Sequence, residues 1–163
     1  MPELLEWLQG TAFGAIARES LYGFQILVGI HLLGLIFSVG ILIWVDLRML
    51  GLCMTSYRLS DIYRELSKWF SVGFAVMFLS GIALFAGFAA DAYENTFFRI
   101  KISIIALAGL NAIAFHFLLK RMPADADLPG RSTAPFVKVA GGASIAFWVI
   151  VILCGRMMSY TLF

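Results

Sequence analysis

The chain has 163 residues, 61% of them hydrophobic and 13% charged, with a formal net charge of +2. Its mean hydropathy of +0.92 excludes a water-soluble domain, because a single core of this size cannot bury so much apolar surface. The composition therefore predicts an integral membrane protein, with the lipid bilayer as its surroundings and no nucleic acid among its partners.

Residues 1–18 precede the first apolar run. They include the acidic residues Glu3 and Glu6 and carry no base before Arg18, so they lack the positive region of a cleaved secretory signal and are expected to be retained. Their apolar and polar residues are spaced as in a short amphipathic helix lying on the outer leaflet, a prediction that Gly10 weakens.

Four apolar runs are long enough to cross the hydrocarbon core, which takes about 20 residues of helix. Lipid offers no partner to unpaired backbone groups, so each run is predicted to be helical. The predicted spans cover residues 21–45, 69–90, 102–119 and 139–155. The predicted fold class is all-α: a transmembrane four-helix bundle with a short N-terminal interfacial amphipathic helix, forming one domain over residues 1–163.

Basic residues orient the predicted bundle. Eight Lys and Arg residues lie between spans one and two or between spans three and four, and four lie on the other side. By the positive-inside rule, the two connections with more basic residues face the cytoplasm and both termini are expected to face outward. This topology puts Cys53 and Cys154 on opposite faces, so no disulfide is expected. Ser60–Lys68 is predicted to lead helically into the second span, with Ser60 suited to capping.

The two histidines of the chain, His31 and His116, both lie inside apolar runs. An ionisable side chain in a spanning helix costs roughly 2 kcal/mol or more when charged, so such residues usually face the bundle interior and often mark a ligand, proton or electron site. Transmembrane b-type cytochromes hold haem iron between imidazoles of neighbouring helices. His31 and His116 are therefore the candidate cofactor-binding and metal-ligating residues.

Depth along the helices restricts a haem held by both histidines. With Trp44 and Lys120 as markers of the cytoplasmic interface, the two imidazoles differ in height by roughly 13 Å. One haem bridged by both is strained, which favours a separate environment for each. Glycines near the depth of His116 either leave room for a macrocycle or allow close helix packing; they are Gly40, Gly73, Gly141 and Gly142.

The alternative is that each histidine is neutral and hydrogen-bonded within the bundle. Ser80 and Asn111 lie at a depth similar to that of His31 and are its candidate partners. Proton uptake at His116 is a weaker option. Copper is a further alternative, because thioether and thiolate ligands favour Cu(I), although such Met residues are more often apolar filler. The residues concerned are Met49, Cys53, Met54, Met157 and Met158.

Segments of the first three spans carry a recognisable pattern. They are His31-Leu-Leu-Gly34 with Gly40 and Asp46-Leu-Arg-Met-Leu-Gly51, Gly73-Phe74 with Ser80-Gly81 and Phe85, and Phe98-Arg-Ile-Lys101 with Gly109-Leu-Asn111 and His116. This pattern resembles a group of uncharacterised bacterial four-helix membrane proteins, distantly similar to the copper-resistance D (CopD) domain and to small b-type cytochrome membrane domains. The resemblance implies a four-helix bundle, with haem binding or copper handling as the expected activity.

The comparison also sets limits. Di-haem members of the cytochrome group are expected to use two pairs of histidines, and this chain has two histidines in all, which excludes two bis-histidine haems. Asp46, Arg48 and Lys101 match the pattern and receive structural interpretations. Asp46 is expected to pair with Arg48 at a helix end, and Lys101 to extend towards the outer interface.

The sequence thus predicts a small redox or anchoring subunit with at most one b-type haem, held by His116 or His31. It would pass electrons between a quinone or periplasmic partner and a larger complex. Catalysis by the chain alone is not expected, because no constellation of acid, base and nucleophile is recognisable. The second hypothesis is a cofactor-free membrane scaffold or assembly subunit packed against partner proteins, and the third is CopD-like copper transport.

Overall fold

The computed structural model describes residues 2–11, 14–15, 18, 20, 22–121 and 134–162. Within these residues the regular structure is entirely helical, and four helices are long and apolar enough to cross a membrane. The predicted all-α membrane bundle is therefore confirmed. The helices are α1 (Pro2–Gln9), α2 (Gly23–Leu50), α3 (Leu59–Gly87), α4 (Ala89–Glu94), α5 (Thr96–Arg121) and α6 (Pro135–Leu162).

Helix α2 extends beyond the predicted end of the first span. The predicted span stops at residue 45, before Asp46 and Arg48, yet both residues are inside the helix and only 2% and 3% exposed. The helix ends instead at Gly51, whose φ of 78° lies in the left-handed region that glycine adopts without steric cost. The charges do not stop the helix because their side chains are enclosed by the bundle rather than by lipid.

Helix α3 joins the predicted polar lead-in to the second span without a break. Ser60–Lys68 is helical throughout, as expected, but the flanking residue with extended backbone is Arg58. Ser60 therefore lies within the first turn and is not the N-cap. At the other end, a turn at Phe88 separates α3 from the short helix α4, which the predicted span of 69–90 had merged.

The N-terminal helix α1 lies at one end of the bundle, where it packs against α4 and the end of α3. The neighbouring N–H groups assign the orientation of the Gln9 amide. In this orientation its side-chain oxygen accepts hydrogen bonds from the backbone N–H groups of Ala89 and Ala90 at 3.0 and 3.2 Å. This contact satisfies the free donors in the first turn of α4. The predicted interfacial helix reached residue 18; Ala12, Phe13, Ile16 and Ala17 lie outside the described residues.

The four long helices form two pairs. Helix α2 packs along α3, α5 packs along α6, and the pairs meet mainly where the second half of α2, Ile41–Leu50, lies against α6. Helices α3 and α5 meet through side chains, such as the ring pairs Tyr63–Phe115 and Phe85–Phe98, and not by close approach of their backbones among the described residues. We call the end that carries residues 51–58, the end of α5 and the start of α6 the basic end, and the end that carries α1 and α4 the opposite end.

Two glycines bring α2 and α3 into backbone contact. A Cβ atom on Gly34 would lie 2.6 Å from the backbone nitrogen of Met77, and one on Gly73 would lie 2.7 Å from the backbone of Phe37 and Ser38. Such close approach lets helices gain van der Waals contact in lipid, where apolar side chains alone give no drive to associate. Near this contact, Ile36–Gly40 forms a π-helical segment within α2.

We expect Gly34→Ala to lower the free energy of unfolding by about 1–3 kcal/mol, because the added methyl group overlaps the α3 backbone. Gly29 is the matched control, since it lies on the same helix with open space around its Cβ position. Gly29→Ala should be neutral or stabilising, because alanine favours the helical state. Unfolding by denaturing detergent, followed by circular dichroism, measures both variants; equal stabilities would contradict the proposed contact.

Candidate functional site

The imidazole of His31 is held from α2 against α3. Its Nδ1 lies 3.1 Å from the hydroxyl oxygen of Ser80. The Ser80 hydroxyl donates its single proton to the carbonyl of Val76, at 2.6 Å, so towards His31 this oxygen acts as an acceptor. The Met77 carbonyl, 3.1 Å from the Ser80 oxygen, also interacts with the imidazole and can only accept. The proton of neutral His31 therefore lies on Nδ1.

This tautomer leaves Nε2 of His31 with its lone pair. No described residue makes a hydrogen bond with Nε2, and the ring edge faces Gly81, where a Cβ atom would lie 3.2 Å from Cε1. Metal-bound imidazoles in proteins have the same arrangement, in which one ring N–H donates to a fixed acceptor and the other nitrogen binds the metal. The structure thus places Ser80, one of the two predicted partners, on His31.

Lys101 enters the same region from α5. Its side chain interacts electrostatically with His31 and with Cys154, and its Nζ lies 3.5 Å from the position that a Cβ of Gly155 would take. The amine is therefore directed against α6 inside the bundle and does not extend to the outer interface, as the sequence had suggested. Among the described acidic residues, none forms an ion pair with Lys101.

Lys101 on α5 lies close enough to His31 on α2 for their charges to interact. The first half of α2, Gly23–Leu35, packs on α3, whereas its described residues make little close contact with α5 or α6. The two helix pairs meet at the opposite end through side chains, since the rings of Phe85 on α3 and Phe98 on α5 are stacked with centroids 5.2 Å apart. We call the region that holds the His31 imidazole and the Lys101 amine the His31 site.

His116 occupies a different environment near the basic end. Its Nδ1 lies 3.5 Å from the hydroxyl of Tyr63, which is the outer limit of a hydrogen bond. The rings of Tyr63 and Phe117 lie 6.3 and 6.2 Å from the imidazole, measured between centroids. His116 is therefore half-buried among aromatic rings and has no partner comparable to the Ser80 hydroxyl.

The structure does not bring the two histidines together. Their partners Ser80 and Tyr63 both belong to α3 and are 17 residues apart, which corresponds to about 26 Å along the axis. One haem iron bound by both imidazoles is therefore excluded. The sequence estimate was too small because it placed the interface at Trp44, whereas α2 continues to Leu50.

A second polar site surrounds a cavity of about 250 Å³ in the basic half of the bundle. All four long helices line it, and its polar side chains include Asp46, Asn111 and Ser144. One oxygen of the Asp46 carboxyl group is hydrogen-bonded to Ser144, while the other, Oδ2, is buried without a partner. Asn111 donates from Nδ2 to the carbonyl of Ala140 at 3.0 Å, so it does not serve His31.

The predicted ion pair between Asp46 and Arg48 is wrong. Residues two apart on a helix lie on different faces, and the Arg48 guanidinium donates from Nε and Nη2 to the carbonyl of Tyr57 at 3.1 and 2.9 Å. Arg48 thereby holds the connection of residues 51–58 against α2. Sequence reasoning missed the cavity, although an acidic residue beside an apolar span was a signal for it.

The sulfur-containing residues do not assemble a ligand set in the part of the chain that is described. Cys53 and Cys154 are both free thiols at different ends of the bundle. Met49 is 2% exposed and packs in a hydrophobic cluster with Val45 and Phe115. No three His, Cys, Asp or Glu side chains lie close enough to hold a metal within the described ranges. The position of Met49 fits the apolar filler predicted for it.

At two of the four glycines predicted near the depth of His116, the packing favours close helix approach. Gly73 touches the backbone of α2, and a Cβ on Gly141 would lie 2.9 Å from Cβ of Met49. Gly40, in contrast, has open space at its Cβ position. Gly73 and Gly141 therefore allow helices to approach each other and do not leave room for a macrocycle beside His116.

Four apolar helices with ionisable side chains turned inward define a multi-pass membrane protein with two separate interior polar sites. The chain belongs to the DUF6644 family, a family of unknown function, whose model matches residues 4–161. No curated protein matches the chain, and no solved structure does. Membership of an uncharacterised family agrees with the expected resemblance, whereas the similarity to CopD and to b-type cytochromes stays a prediction.

We expect His31 to carry its proton on Nδ1 when neutral, because the Ser80 hydroxyl beside that nitrogen donates to the Val76 carbonyl and so accepts from the imidazole. Long-range proton–nitrogen spectra of protein labelled with ¹⁵N-histidine distinguish the two tautomers. Ser80→Ala should produce a mixture of tautomers at His31 and leave the signals of His116 unchanged. Predominant protonation of His31 at Nε2 in the unaltered protein would contradict the assignment.

Proposed function

We propose that this protein is a small redox or anchoring subunit that carries one b-type haem, with His31 as an axial ligand. It passes electrons between a quinone or a periplasmic partner and a larger complex of the bacterial inner membrane. The observation that supports this most directly is the His31 imidazole, which Ser80 orients with Nε2 unprotonated inside the membrane-spanning bundle. A haem iron takes its ligand from such a nitrogen.

Two neighbours of His31 support the proposal. Gly81 keeps the α3 side of the imidazole free of a further side chain. Lys101 offers a positive charge without an acidic partner among the described residues, and a propionate carboxylate would complement it. Bound haem would supply one-electron chemistry, while the chain supplies the ligand, the charge and the exclusion of water.

His31 is preferred to His116 for a geometric reason. The Nδ1 contact of His116 is 3.5 Å long, and its neighbours are aromatic side chains packed around the ring. A ligand imidazole needs a fixed orientation, which a bond to a well-placed acceptor provides. The Ser80 hydroxyl fixes the orientation of the His31 imidazole, whereas the longer contact with Tyr63 does not fix that of His116.

We expect the purified protein to show a reduced-minus-oxidised spectrum of b-type haem that is lost in His31→Ala, because the substitution removes the ligand nitrogen. His116→Ala is the matched control, since it removes an equivalent side chain from another part of the bundle, and its spectrum should remain. Visible spectra with and without dithionite, together with haem extraction from the same detergent sample, provide the measurement.

Three other results would each overturn part of this proposal. Loss of haem in His116→Ala alone would move the ligand to the basic end. Copper that survives dialysis would favour the CopD-like alternative. A colourless, metal-free protein that remains folded would leave a cofactor-free scaffold, and its role would then lie in its protein partners.

We further propose that the basic end faces the cytoplasm and that both termini face the periplasm, as the distribution of Lys and Arg favours. A membrane-impermeant maleimide should then label Cys53 in inverted vesicles and not in intact spheroplasts. Cys154 is buried, so Cys53→Ser should abolish labelling. In that background Tyr93→Cys, on the exposed face of α4, should label only in spheroplasts; the reverse pattern at both positions would invert the topology.

A further inference from the structure

The cavity in the basic half holds an acidic group that the bundle leaves incompletely satisfied. Asp46 is 2% exposed, lines the cavity and has Oδ2 without a hydrogen-bond partner. Its other carboxyl oxygen has the Ser144 hydroxyl as partner. Burying a carboxylate with one hydrogen bond is costly unless a cation or a proton compensates it.

The charges of the lining residues indicate which kind of ligand would complement Oδ2 of Asp46. Asp46 carries the one carboxyl group among the lining residues, and the lining contains no Lys, Arg or His. Arg48, the nearest base in sequence, is engaged with the Tyr57 carbonyl. The cavity is therefore an acidic site within an apolar bundle and complements a positive ligand.

Aromatic rings strengthen this preference. Five aromatic side chains line the cavity on three helices, and ring faces attract ammonium groups through their quadrupoles. A carboxylate combined with several aromatic rings is a chemical environment that suits an organic cation better than a hydrated metal ion. The rings belong to Tyr63, Phe70, Phe74, Phe115 and Trp148.

The size of the cavity agrees with a small organic ligand. A dry cavity of about 150 Å³ accommodates benzene, so 250 Å³ accommodates one ring that carries a short ammonium substituent. Gly109 on α5 lines the cavity with open space at its Cβ position, so that residue puts no side chain into it.

We propose that this cavity binds a small lipophilic organic cation, an aromatic amine or ammonium compound, with Asp46 as its counter-ion. The ring of the ligand lies among the aromatic side chains, and its positive group lies beside Oδ2 of Asp46. Ser144 holds the carboxyl group in place through its hydrogen bond. This cavity is separate from the His31 site, so its occupation does not depend on haem.

Trp148 provides a reporter inside the cavity. Substituting Phe for the exposed residues Trp7, Trp44 and Trp69 leaves Trp148 as the only tryptophan. The probes are benzyltrimethylammonium, whose charge does not depend on pH, and neopentylbenzene, which has the same shape without the charge. With the protein in lipid nanodiscs, we expect a saturable change in Trp148 emission with the cation and none with the neutral compound.

Asp46→Asn should weaken binding of the cation by about tenfold or more, as expected when a buried ion pair loses one charge. Asp61→Asn is the matched control, since Asp61 is an exposed acid on α3, and it should bind like the unaltered protein. If Asp46→Asn fails to fold, the comparison of charged and neutral probes still decides the proposal.

Two outcomes would overturn the inference. No saturable response to the cation would mean that a proton alone compensates Asp46. An equal response to both probes would make the cavity a site for uncharged rings, such as a quinone head group, with no role for the carboxylate charge. Either result is independent of the haem spectrum, because the same sample can be tested with and without haem bound at His31.

Discussion

The backbone contact between α2 and α3 determines where the functional side chains face. Gly34 lies against Met77, and residues three apart on a helix share a face. His31 precedes Gly34 by three residues and Ser80 follows Met77 by three, so in an antiparallel pair the same contact places the imidazole opposite the hydroxyl. A bulkier residue at Gly34 or Gly73 would separate α2 from α3. The Ser80 hydroxyl, which fixes the His31 tautomer, would then move away from the imidazole.

The π-helical segment explains how one helix serves two sites. A π turn contains one residue more than an α turn, so it rotates the following side chains by about 100° relative to an uninterrupted α-helix. Before Ile36–Gly40, α2 faces α3; after it, Ile41–Leu50 also faces α6, where Gly141 lies against Met49. This rotation directs Asp46 towards Ser144 and towards the cavity, on a different side of α2 from His31.

Hydropathy was sufficient to predict the four spans, because lipid requires long apolar helices and allows few alternatives. Counting depth along the predicted spans also suggested Ser80 as a partner of His31, and the two side chains are in contact. The spacing of two residues already disfavours an ion pair between Asp46 and Arg48, but the neighbours of these side chains were not predictable in the same way. The side of α2 on which they lie relative to His31 depends on the helix rotation at Ile36–Gly40, and no residue in that segment has a propensity that signals a π turn.

The underestimated height difference between His31 and His116 has a related origin. The sequence gives the order of residues along each helix, but the relative height of two helices depends on where each one ends. Helix α2 continues to Leu50 because Arg48 and Asp46 are enclosed by protein, and this lengthening increases the distance between His31 and His116. A rule that ends a span at its first charge therefore misplaces every depth measured from that end.

Lys101 and Asp46 are ionisable groups of opposite sign in one apolar bundle, yet they do not pair. Asp46 is 15 residues from His31 along α2, about 22 Å, and Lys101 lies beside His31. Pairing them would lower the cost of burying both, so their separation is not explained by stability within the chain. Each group instead remains able to neutralise a ligand of the opposite charge: Lys101 an anionic group at the His31 site, and Asp46 an organic cation in the cavity.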